Sequence, residues 1–220
     1  MASPRIYASR ADAARQLGDA LAGYRGLNPL VLAIPRGAVS MGRVLADALA
    51  GELDVVLVRK LPAPFNPELA IGAVDETGWV YLASHAERAG GDPEYVERAR
   101  QKELATLRRR RAEYTPHRPP IDPAGRIVIV VDDGLATGAT MIAALHAARA
   151  KGPQRLICAV PVGAPDSLER VRPYCDELVC LEAPEEFYAV GQFYRDFAQV
   201  ADEEVVALLA AAQGRPPAAH

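Results

Sequence analysis

The sequence predicts an α/β protein built on a largely parallel, doubly wound sheet. Apolar runs of strand length alternate along the chain with amphipathic segments of helical length, which is the order expected of a parallel sheet covered by helices. Within those runs successive residues are apolar, as expected of strands buried on both faces. Two of the runs lead directly into glycine-containing loops that are followed by helices, and the 220 residues suffice for the core of one such domain.

Each predicted element follows from a local pattern. The apolar runs predict strands at residues 30–34, 53–58, 127–131, 156–160 and 177–181. Apolar residues at helical spacing predict helices at residues 11–24, 41–50, 141–150 and 202–211. Because strands and helices alternate, we expect a largely parallel, doubly wound sheet.

One stretch departs from this alternation. The turn residues 75–78 separate the short runs 71–74 and 80–82 and predict a β-hairpin. Asp92 and Pro93 are typical of a helix start, and the long charged helix that follows ends near Tyr114, before a proline-rich segment. We therefore predict a single domain at residues 1–212 with a hairpin and helix insertion at about 62–120, followed by a disordered tail at 213–220.

Composition narrows the classes of function. The net charge is only −3, so no overall basic character points to nucleic acid or to a membrane surface as a partner. The N-terminus lacks an apolar signal core, and no apolar run reaches the length of a membrane span. The three cysteines, Cys158, Cys175 and Cys180, include no C-x-x-C pair, and we expect them to be reduced. These observations favour a cytoplasmic protein.

The most informative segment begins at the strand 127–131. This strand leads into two carboxylates, Asp132 and Asp133, and then into small and hydroxylated residues before a helix that Thr140 is predicted to cap. Backbone N–H groups, threonine hydroxyls and the positive end of a helix dipole together form a cradle for a phosphate group. The predicted phosphate-binding residues are Gly134, Leu135, Ala136, Thr137, Gly138, Ala139 and Thr140.

The two aspartates restrict the ligand. No lysine follows Gly138 as a nucleotide-hydrolysing P-loop requires, and the dinucleotide fingerprint G-x-G-x-x-G is absent. Carboxylates beside a phosphate suit ribose hydroxyls or a Mg²⁺ ion held by hydroxyls and a diphosphate. A ligand with all of these groups is 5-phosphoribosyl-1-pyrophosphate (PRPP). The alternative is an ordinary strand-to-helix turn in which acidic residues and glycines coincide by chance.

The segment closely resembles the PRPP-binding motif of type I phosphoribosyltransferases. The resemblance spans almost the whole chain and is specifically to a bacterial group of predicted phosphoribosyltransferases. It rests also on residues 33–37 (AIPRG), 58–61 (VRKL), 68–73 (ELAIGA) and 186–194 (EFYAVGQFY). Members of the group occur alone or joined to an α/β-hydrolase domain. This sequence has no G-x-S-x-G nucleophile elbow, so we expect the stand-alone form with the type I phosphoribosyltransferase fold.

The loop after the strand 30–34 has the same placement as the PRPP motif. It contains Pro35, Arg36 and Gly37, and it resembles the pyrophosphate loop of phosphoribosyltransferases, in which an Arg-Gly pair precedes a helix. Arg36 offers a planar fork of donors for phosphate oxygens, and Gly37 permits close approach of a ligand. The alternative is a solvated arginine before a turn glycine.

A third loop follows the strand 53–58. Lys60, or less strongly Arg59, could neutralise the charge that develops on departing pyrophosphate; the alternative is a surface cation at a strand end. Pro62, Pro64 and Pro67 suggest a stiffened segment rather than a mobile lid. This departs from the Gly-rich or Ser-rich loops of several family members.

Other patterns allow more than one interpretation. The arginine run 108–111 predicts a solvated helix face with salt bridges, or else a contact with RNA or an acidic partner. An aromatic cluster could stack on a planar base, or form a core lid or an oligomer contact. Its members are Phe187, Tyr188, Phe193, Tyr194 and Phe197. The histidines show no metal-ligand spacing, and Asp75 and Glu76 are interpreted as turn residues.

The resemblance implies a Mg²⁺-dependent transfer of the phosphoribosyl group from PRPP to a nitrogenous acceptor, a base or an amine, with release of pyrophosphate. It assigns catalytic roles to Asp132, Asp133, Lys60 and Arg36, and pyrophosphate binding to Pro35, Arg36, Gly37 and Lys60. Asp132 and Asp133 would contact the metal mainly through ligand or water. The alternative is a PRPP-sensing regulator whose arginine-rich helix is the effector surface. The presence of Arg36 and Lys60 favours the enzyme, because a sensor needs no charge stabilisation at the leaving group. A homodimer is the expected assembly.

Overall fold

The structure is a computed structural model that describes residues 5–116 and 118–212. The predicted tail at 213–220 lies outside the described residues. The α-helices are α1 (Arg10–Ala20), α2 (Ala38–Leu49), α3 (Pro93–Tyr114), α4 (Ala139–Arg149), α5 (Pro165–Val171) and α6 (Asp202–Ala212). The strands are β1 (Leu30–Ala33), β2 (Glu52–Val55), β3 (Val58–Ala63), β4 (Asn66–Asp75), β5 (Val80–Leu82), β6 (Ile127–Val131), β7 (Arg155–Val162) and β8 (Glu177–Glu182).

The central sheet confirms the predicted fold class. Its five strands are all parallel and lie in the order β2-β1-β6-β7-β8. Successive residues of β6 face opposite sides, so that Ile129 joins an apolar cluster with α1, α2 and α6 while Val128 and Val130 join a second cluster with α4. Helices therefore cover both faces, and the carboxyl ends of the strands meet at one edge.

The insertion forms a sheet of its own. Strands β3, β4 and β5 are antiparallel, and the predicted hairpin at 75–78 joins β4 to β5. The prediction of one strand at 53–58 was wrong at its end, because the parallel pairing stops at Val55 and Val58 already begins β3. An apolar run has the same appearance whether it stays in one sheet or crosses into another, so the local pattern could not locate this break.

The sequence predicts capping residues for α3 and α4, and the structure confirms the first but not the second. Asp92 caps α3 as predicted, and its carboxylate accepts a hydrogen bond from the Tyr95 N–H at 2.8 Å. Thr140 is not the cap of α4, which was a wrong prediction. This helix begins at Ala139, and Gly138 takes the capping position with a φ of 80°. Glycine adopts a left-handed conformation without steric cost, so the chain enters the helix at this position without a side-chain cap.

Cys158 and Cys180 lie in strands that the sequence predicts, and Cys175 lies outside them. Cys158 is buried in β7, Cys180 is half-buried in β8, and Cys175 is half-buried between α5 and β8. All three are free thiols. Among the described helices, none is both long enough and apolar enough to cross a membrane.

Candidate active site

A cavity of about 280 Å³ lies at the carboxyl edge of the central sheet, where β1 and β6 end side by side. Its lining residues are Ile34, Pro35, Gly37, Lys60, Asp132, Asp133, Gly134, Leu135, Ala136, Thr137, Gly138, Thr140, Met141 and Val190. The structure thus brings together the three predicted loops, which are far apart in sequence. Ligands of open parallel sheets bind at such an edge.

The loop after β6 is anchored by its backbone. The Leu135 N–H donates to the Val162 carbonyl at 2.9 Å, and the Ser167 hydroxyl donates to the Ala136 carbonyl at 2.7 Å. Helix α4 starts directly after Gly138, and the N–H groups of its first turn have no acceptor within the helix. The cavity therefore meets the positive end of α4, with the exposed Thr137 beside it, and this arrangement suits an anion.

Asp133 is held by residues from both ends of the chain. Its carboxylate accepts a hydrogen bond from Arg10 Nε at 2.9 Å, and its carbonyl accepts one from the Tyr194 hydroxyl at 2.7 Å. Arg10 in turn donates to the Ala198 carbonyl at 2.7 Å and lies 3.9 Å from the centre of the Phe197 ring. These contacts fix the orientation of Asp133 before any ligand arrives.

Asp132 has a different environment. Its carboxylate accepts the Asp133 N–H at 2.9 Å. Burial raises the pKa of Asp132 well above its usual value, and the neighbouring Asp133 raises it further, whereas Lys60 and Arg10 oppose the change. Burial also raises the pKa of Asp133, while Arg10 counteracts it. A pair of carboxylates that are costly to ionise gains most from a cation or from hydroxyl donors, which indicates a binding site.

Gly37 explains why the loop after β1 carries a glycine. A Cβ atom at this position would lie 2.5 Å from Asp133 Oδ2 and 3.0 Å from Arg10 Nη2. The backbone of the loop therefore packs directly on the Arg10–Asp133 pair, and a side chain would displace it. The peptide bond between Pro35 and Arg36 is cis.

Arg36 does not line the cavity in this structure. Its Nη1 lies 3.6 Å from Asp202 Oδ2 at the start of α6, and the side chain is half-exposed. Asp202 also accepts a hydrogen bond from the Tyr114 hydroxyl of α3. Ala139 is likewise absent from the lining, because it is buried against Ala73 and Ala143.

The two basic candidates of β3 have different surroundings. Arg59 is bound to Glu103 of α3, with Nε 2.8 Å from Oε2. Lys60 is exposed and lines the cavity, and its charge lowers the pKa of Asp132. The structure therefore places Lys60, the stronger of the two candidates, at the site. Pro62 and the residues around it belong to the β3–β4 hairpin, where the pairing register shifts on both sides of Pro62.

The aromatic cluster is mainly part of the core. Phe193 is buried, and Tyr194 packs against Tyr7 and Phe197, with ring centres 5.6 and 5.0 Å away. Phe187 packs on Phe193 at 5.1 Å. Tyr188 differs because 86% of its surface is exposed. Four of the five rings thus follow the core interpretation.

The arginine run is not uniformly solvated, which corrects the sequence-based interpretation. Arg109 pairs with Glu113 on the helix surface at 3.8 Å, but Arg111 is largely buried and its Nη2 lies 2.6 Å from Glu76 Oε2. Asp75 and Glu76 belong to the hairpin turn as predicted. Asp75 accepts hydrogen bonds from the Thr77 and Trp79 N–H groups.

Sequence reasoning missed several residues of the site. Arg10, Tyr194 and Val190 hold or line it, yet none of them belongs to a motif of the β6 loop. Val190 packs closely on Gly134, where a Cβ would lie 2.7 Å from Val190 Cγ1. Val190 and Tyr194 both fall within the stretch 186–194 that carries the family resemblance, and Tyr194 was also named in the aromatic cluster, although not as a partner of Asp133. Arg10 is separated from Asp133 by 123 residues, and no spacing rule links them.

Comparisons with known proteins show the family of the chain. A protein-family model described as "Phosphoribosyl transferase domain" matches residues 2–198. Two Mycobacterium tuberculosis proteins, from strains CDC 1551 and H37Rv, are each named "Putative phosphoribosyl transferase". Both are 44% identical over 206 residues, which cover 93% of this chain and 46% of the relative. The chain therefore spans about half the length of these curated relatives.

A solved structure is similar over nearly its full length. The crystal structure of TT1426 from Thermus thermophilus has a TM-score of 0.79 and 45% sequence identity, and the match covers 94% of this chain and 98% of that one. The fold, the loops at the sheet edge and the family match lead to one conclusion: this chain belongs to the phosphoribosyl transferase domain family.

Proposed function

We propose that the protein transfers the 5-phosphoribosyl group of PRPP to a nitrogenous acceptor, a base or an amine, and releases pyrophosphate. The observation that carries this proposal is the cavity at the sheet edge. It joins an anion cradle at 134–140, two carboxylates and Lys60 within one space of about 280 Å³. These groups correspond to the 5′-phosphate, the ribose and the diphosphate of PRPP.

Each group would have a defined role in the reaction. The N-terminus of α4 and Thr137 bind the 5′-phosphate, and Asp132 and Asp133 accept hydrogen bonds from the ribose hydroxyls. The bond between the anomeric carbon and the diphosphate oxygen breaks, and its electron pair leaves with the diphosphate. The lone pair of the acceptor nitrogen forms the new bond with inversion, and the proton of that nitrogen passes to solvent. Catalysis of this kind rests on positioning and on charge stabilisation.

Mg²⁺ is part of this proposal. Among the residues that the structure describes, no group of three or more His, Cys, Asp or Glu side chains is arranged to hold a metal. Asp133 is already bound to Arg10, so the carboxylate of Asp132 is the better protein ligand. The ion would then be held mainly by ligand oxygens and water, and it would neutralise diphosphate charge.

Arg36 has a conditional role. Its backbone belongs to the loop that borders the cavity, but its guanidinium pairs with Asp202 at a distance of 3.6 Å. A half-exposed pair at this distance is weak, so a diphosphate could compete with Asp202 for Arg36. Pyrophosphate binding by Arg36 therefore requires that its guanidinium leave Asp202.

The test is pyrophosphate release from PRPP and Mg²⁺ with pooled purine, pyrimidine and pyridine bases and amines. The double variant Asp132→Asn, Asp133→Asn should abolish release, whereas Glu169→Gln on the exposed side of α5 should not. Circular dichroism would check that each variant is folded. Equal turnover in wild type and double variant would contradict the proposal. Splitting the pool would then identify the acceptor.

The regulator remains the second outcome of that test. Binding of PRPP without pyrophosphate release from any acceptor would favour it. The structure reduces the proposed effector surface, because Arg111 is buried against Glu76 and only Arg108 and Arg109 of the run are exposed. Salt-sensitive binding of RNA or DNA that changes with PRPP would support regulation. Because so little of the arginine run is exposed as an effector surface, we favour the enzyme over the regulator.

The proposal also covers the cellular compartment of the enzyme and its oligomeric state. Free thiols suit a reducing compartment, and we propose the cytoplasm. A homodimer also stays a prediction, which light scattering of the purified protein would test.

A further inference from the structure

A second groove continues from the phosphoribosyl cavity. It has a volume of about 390 Å³ and lies between the β3–β4 hairpin and helix α3. Pro35, Lys60 and Thr140 border both spaces. The groove therefore opens from the place where the loop after β1 and Lys60 meet, which is where the diphosphate of PRPP would lie under the proposed function.

The charges of this groove are unbalanced. Arg59 and Glu103 neutralise one another through an ion pair at 2.8 Å. Lys60 and Arg110 also line the groove, and within residues 5–116 and 118–212 neither has an ion-pair partner. Glu68, on β4, is the remaining carboxylate of the lining and is exposed. Two cations thus face one solvated carboxylate, so the groove attracts an anion.

Arg110 is distinguished from its neighbours in the arginine run. Arg109 points to the surface and pairs with Glu113, and Arg111 is bound on the opposite side to Glu76 and Asp54. Arg110 is half-buried and lines the groove beside Arg59 and Lys60. Its guanidinium offers a planar fork of N–H donors to phosphate oxygens, which an ammonium group cannot match.

We propose that Arg110 binds the diphosphate of PRPP and the released pyrophosphate, together with Lys60. The inserted helix α3 would then supply a leaving-group contact that the loops of the central sheet do not contain. This inference rests on the proposed function, because it takes the cavity at the sheet edge as the site of the phosphoribosyl group. The electron pair that leaves with the diphosphate places additional negative charge at the mouth of this groove, where Arg110 and Lys60 stabilise it.

The experiment compares Arg110→Gln with the matched variant Arg109→Gln. Calorimetry would measure binding of PRPP, of pyrophosphate and of ribose 5-phosphate, each with Mg²⁺. Arg110→Gln should weaken PRPP and pyrophosphate by about tenfold, because it removes one charge-assisted contact at a partly solvated position. Ribose 5-phosphate lacks the diphosphate, so its affinity should not change. Arg109→Gln should leave all three affinities unchanged.

Two further measurements keep the outcomes separate. Arg110→Lys should recover part of the lost affinity, and thermal unfolding would show that each variant is folded. Unchanged PRPP and pyrophosphate affinity in Arg110→Gln, or an equal loss for ribose 5-phosphate, would overturn the role of Arg110 while leaving the proposed function intact. Failure of the wild type to bind PRPP at all would overturn the proposed function itself.

Discussion

The central parallel sheet and the inserted antiparallel sheet differ in how far charged contacts contribute to their packing. Side chains of β6 such as Val128 and Ile129 are fully buried between helices, and apolar contact accounts for their packing. The insertion also has apolar contacts with the central fold, such as Ala73 with Ala139 and Ala143, but buried charged groups join it as well. Asp54 of β2, which is 1% exposed, lies between Arg111 and Arg118, and the Arg118 guanidinium contacts it at 2.9 and 3.1 Å.

A second polar contact joins the insertion to the central fold. The buried Asp75 of β4 lies 2.9 Å from Nδ1 of His146 on α4, and the His146 ring stacks on Trp79 with centres 3.8 Å apart. Helix α4 carries the phosphate cradle at its N-terminus, and β3 carries Lys60. These contacts therefore determine where Lys60 lies relative to the phosphate cradle at the N-terminus of α4.

Apolar contacts and charged contacts therefore have different roles in this fold. Apolar burial specifies the sheet and its edge without depending on the exact partner of each side chain. Ion pairs and hydrogen bonds are directional, and they position the insertion and its basic residues over the cavity. If this is correct, removing a buried charge should affect the insertion more strongly than removing an exposed one.

The largest effect is expected for Asp54→Ala. The substitution leaves the largely buried Arg111 and Arg118 without their shared carboxylate, although Arg111 keeps Glu76, and it removes the acceptor of the Ile121 N–H. Loss of one partner from a buried charge cluster costs about 3–5 kcal/mol. Urea unfolding followed by circular dichroism would measure the free energy of unfolding. A loss near zero would show that the insertion is held by other contacts.

The next effect is expected for Gly72→Ala in β4. A Cβ at this position would overlap the carbonyl oxygen of Tyr81 in β5, so the pairing of these strands must open. Such overpacking costs about 1–3 kcal/mol. Trp79 is the only tryptophan of the sequence, and its fluorescence should report a local change while the helical circular dichroism of the central fold is retained. Coincident loss of both signals would contradict a locally attached insertion.

The two aspartates of the site should respond in opposite directions. Asp133→Asn removes the charge that Arg10 faces, and it should destabilise the protein by about 1.5–3 kcal/mol. Asp132→Asn removes a carboxylate whose pKa is raised by burial, and it should stabilise the protein by on the order of 1 kcal/mol. Thermal unfolding of both variants at neutral pH would measure the difference. A loss of stability in both would show that the contacts of Asp132 with the Asp133 N–H and Lys60 outweigh the cost of its burial.

The pH dependence of that comparison has a defined sign. Because the pKa of Asp132 is higher in the folded state, the native protein holds more protons than the unfolded chain at pH values above the usual range of a carboxyl group. Stability therefore falls as pH rises from that range to the folded-state pKa. The advantage of Asp132→Asn should grow over the same interval and be absent at lower pH.

The smallest effect is expected for Glu113→Ala. Glu113 and Arg109 form a pair on α3 whose side chains are about half-exposed or more, at a distance of 3.8 Å. Exposed pairs of this kind contribute about 0.5 kcal/mol or less. A loss comparable to that of Asp54→Ala, measured by the same urea titration, would mean that charge in α3 matters regardless of burial.

Local patterns in the sequence were sufficient for the strands of the central sheet apart from the end of β2, for the hairpin at 75–78 and for the loops at the sheet edge. One example is the apolar run 127–131 with the two aspartates and the small residues that follow it. These residues are contiguous, so the strand and loop they form can be predicted without the rest of the chain. The same holds for Asp92, whose capping role requires only the N–H group three residues later. Short-range geometry determines such features, and the structure has them where the sequence predicts them.

Tertiary structure alone decided which charges meet. Arg10 reaches Asp133 across 123 residues, Arg111 is buried while Arg109 is exposed, and Arg36 faces Asp202 rather than the cavity. Within an arginine run every residue has the same local pattern. The packing of α3 against two sheets determines which guanidinium is buried in an ion pair and which one borders a groove. Helical spacing defines a face of the helix, but only the fold defines what lies opposite that face.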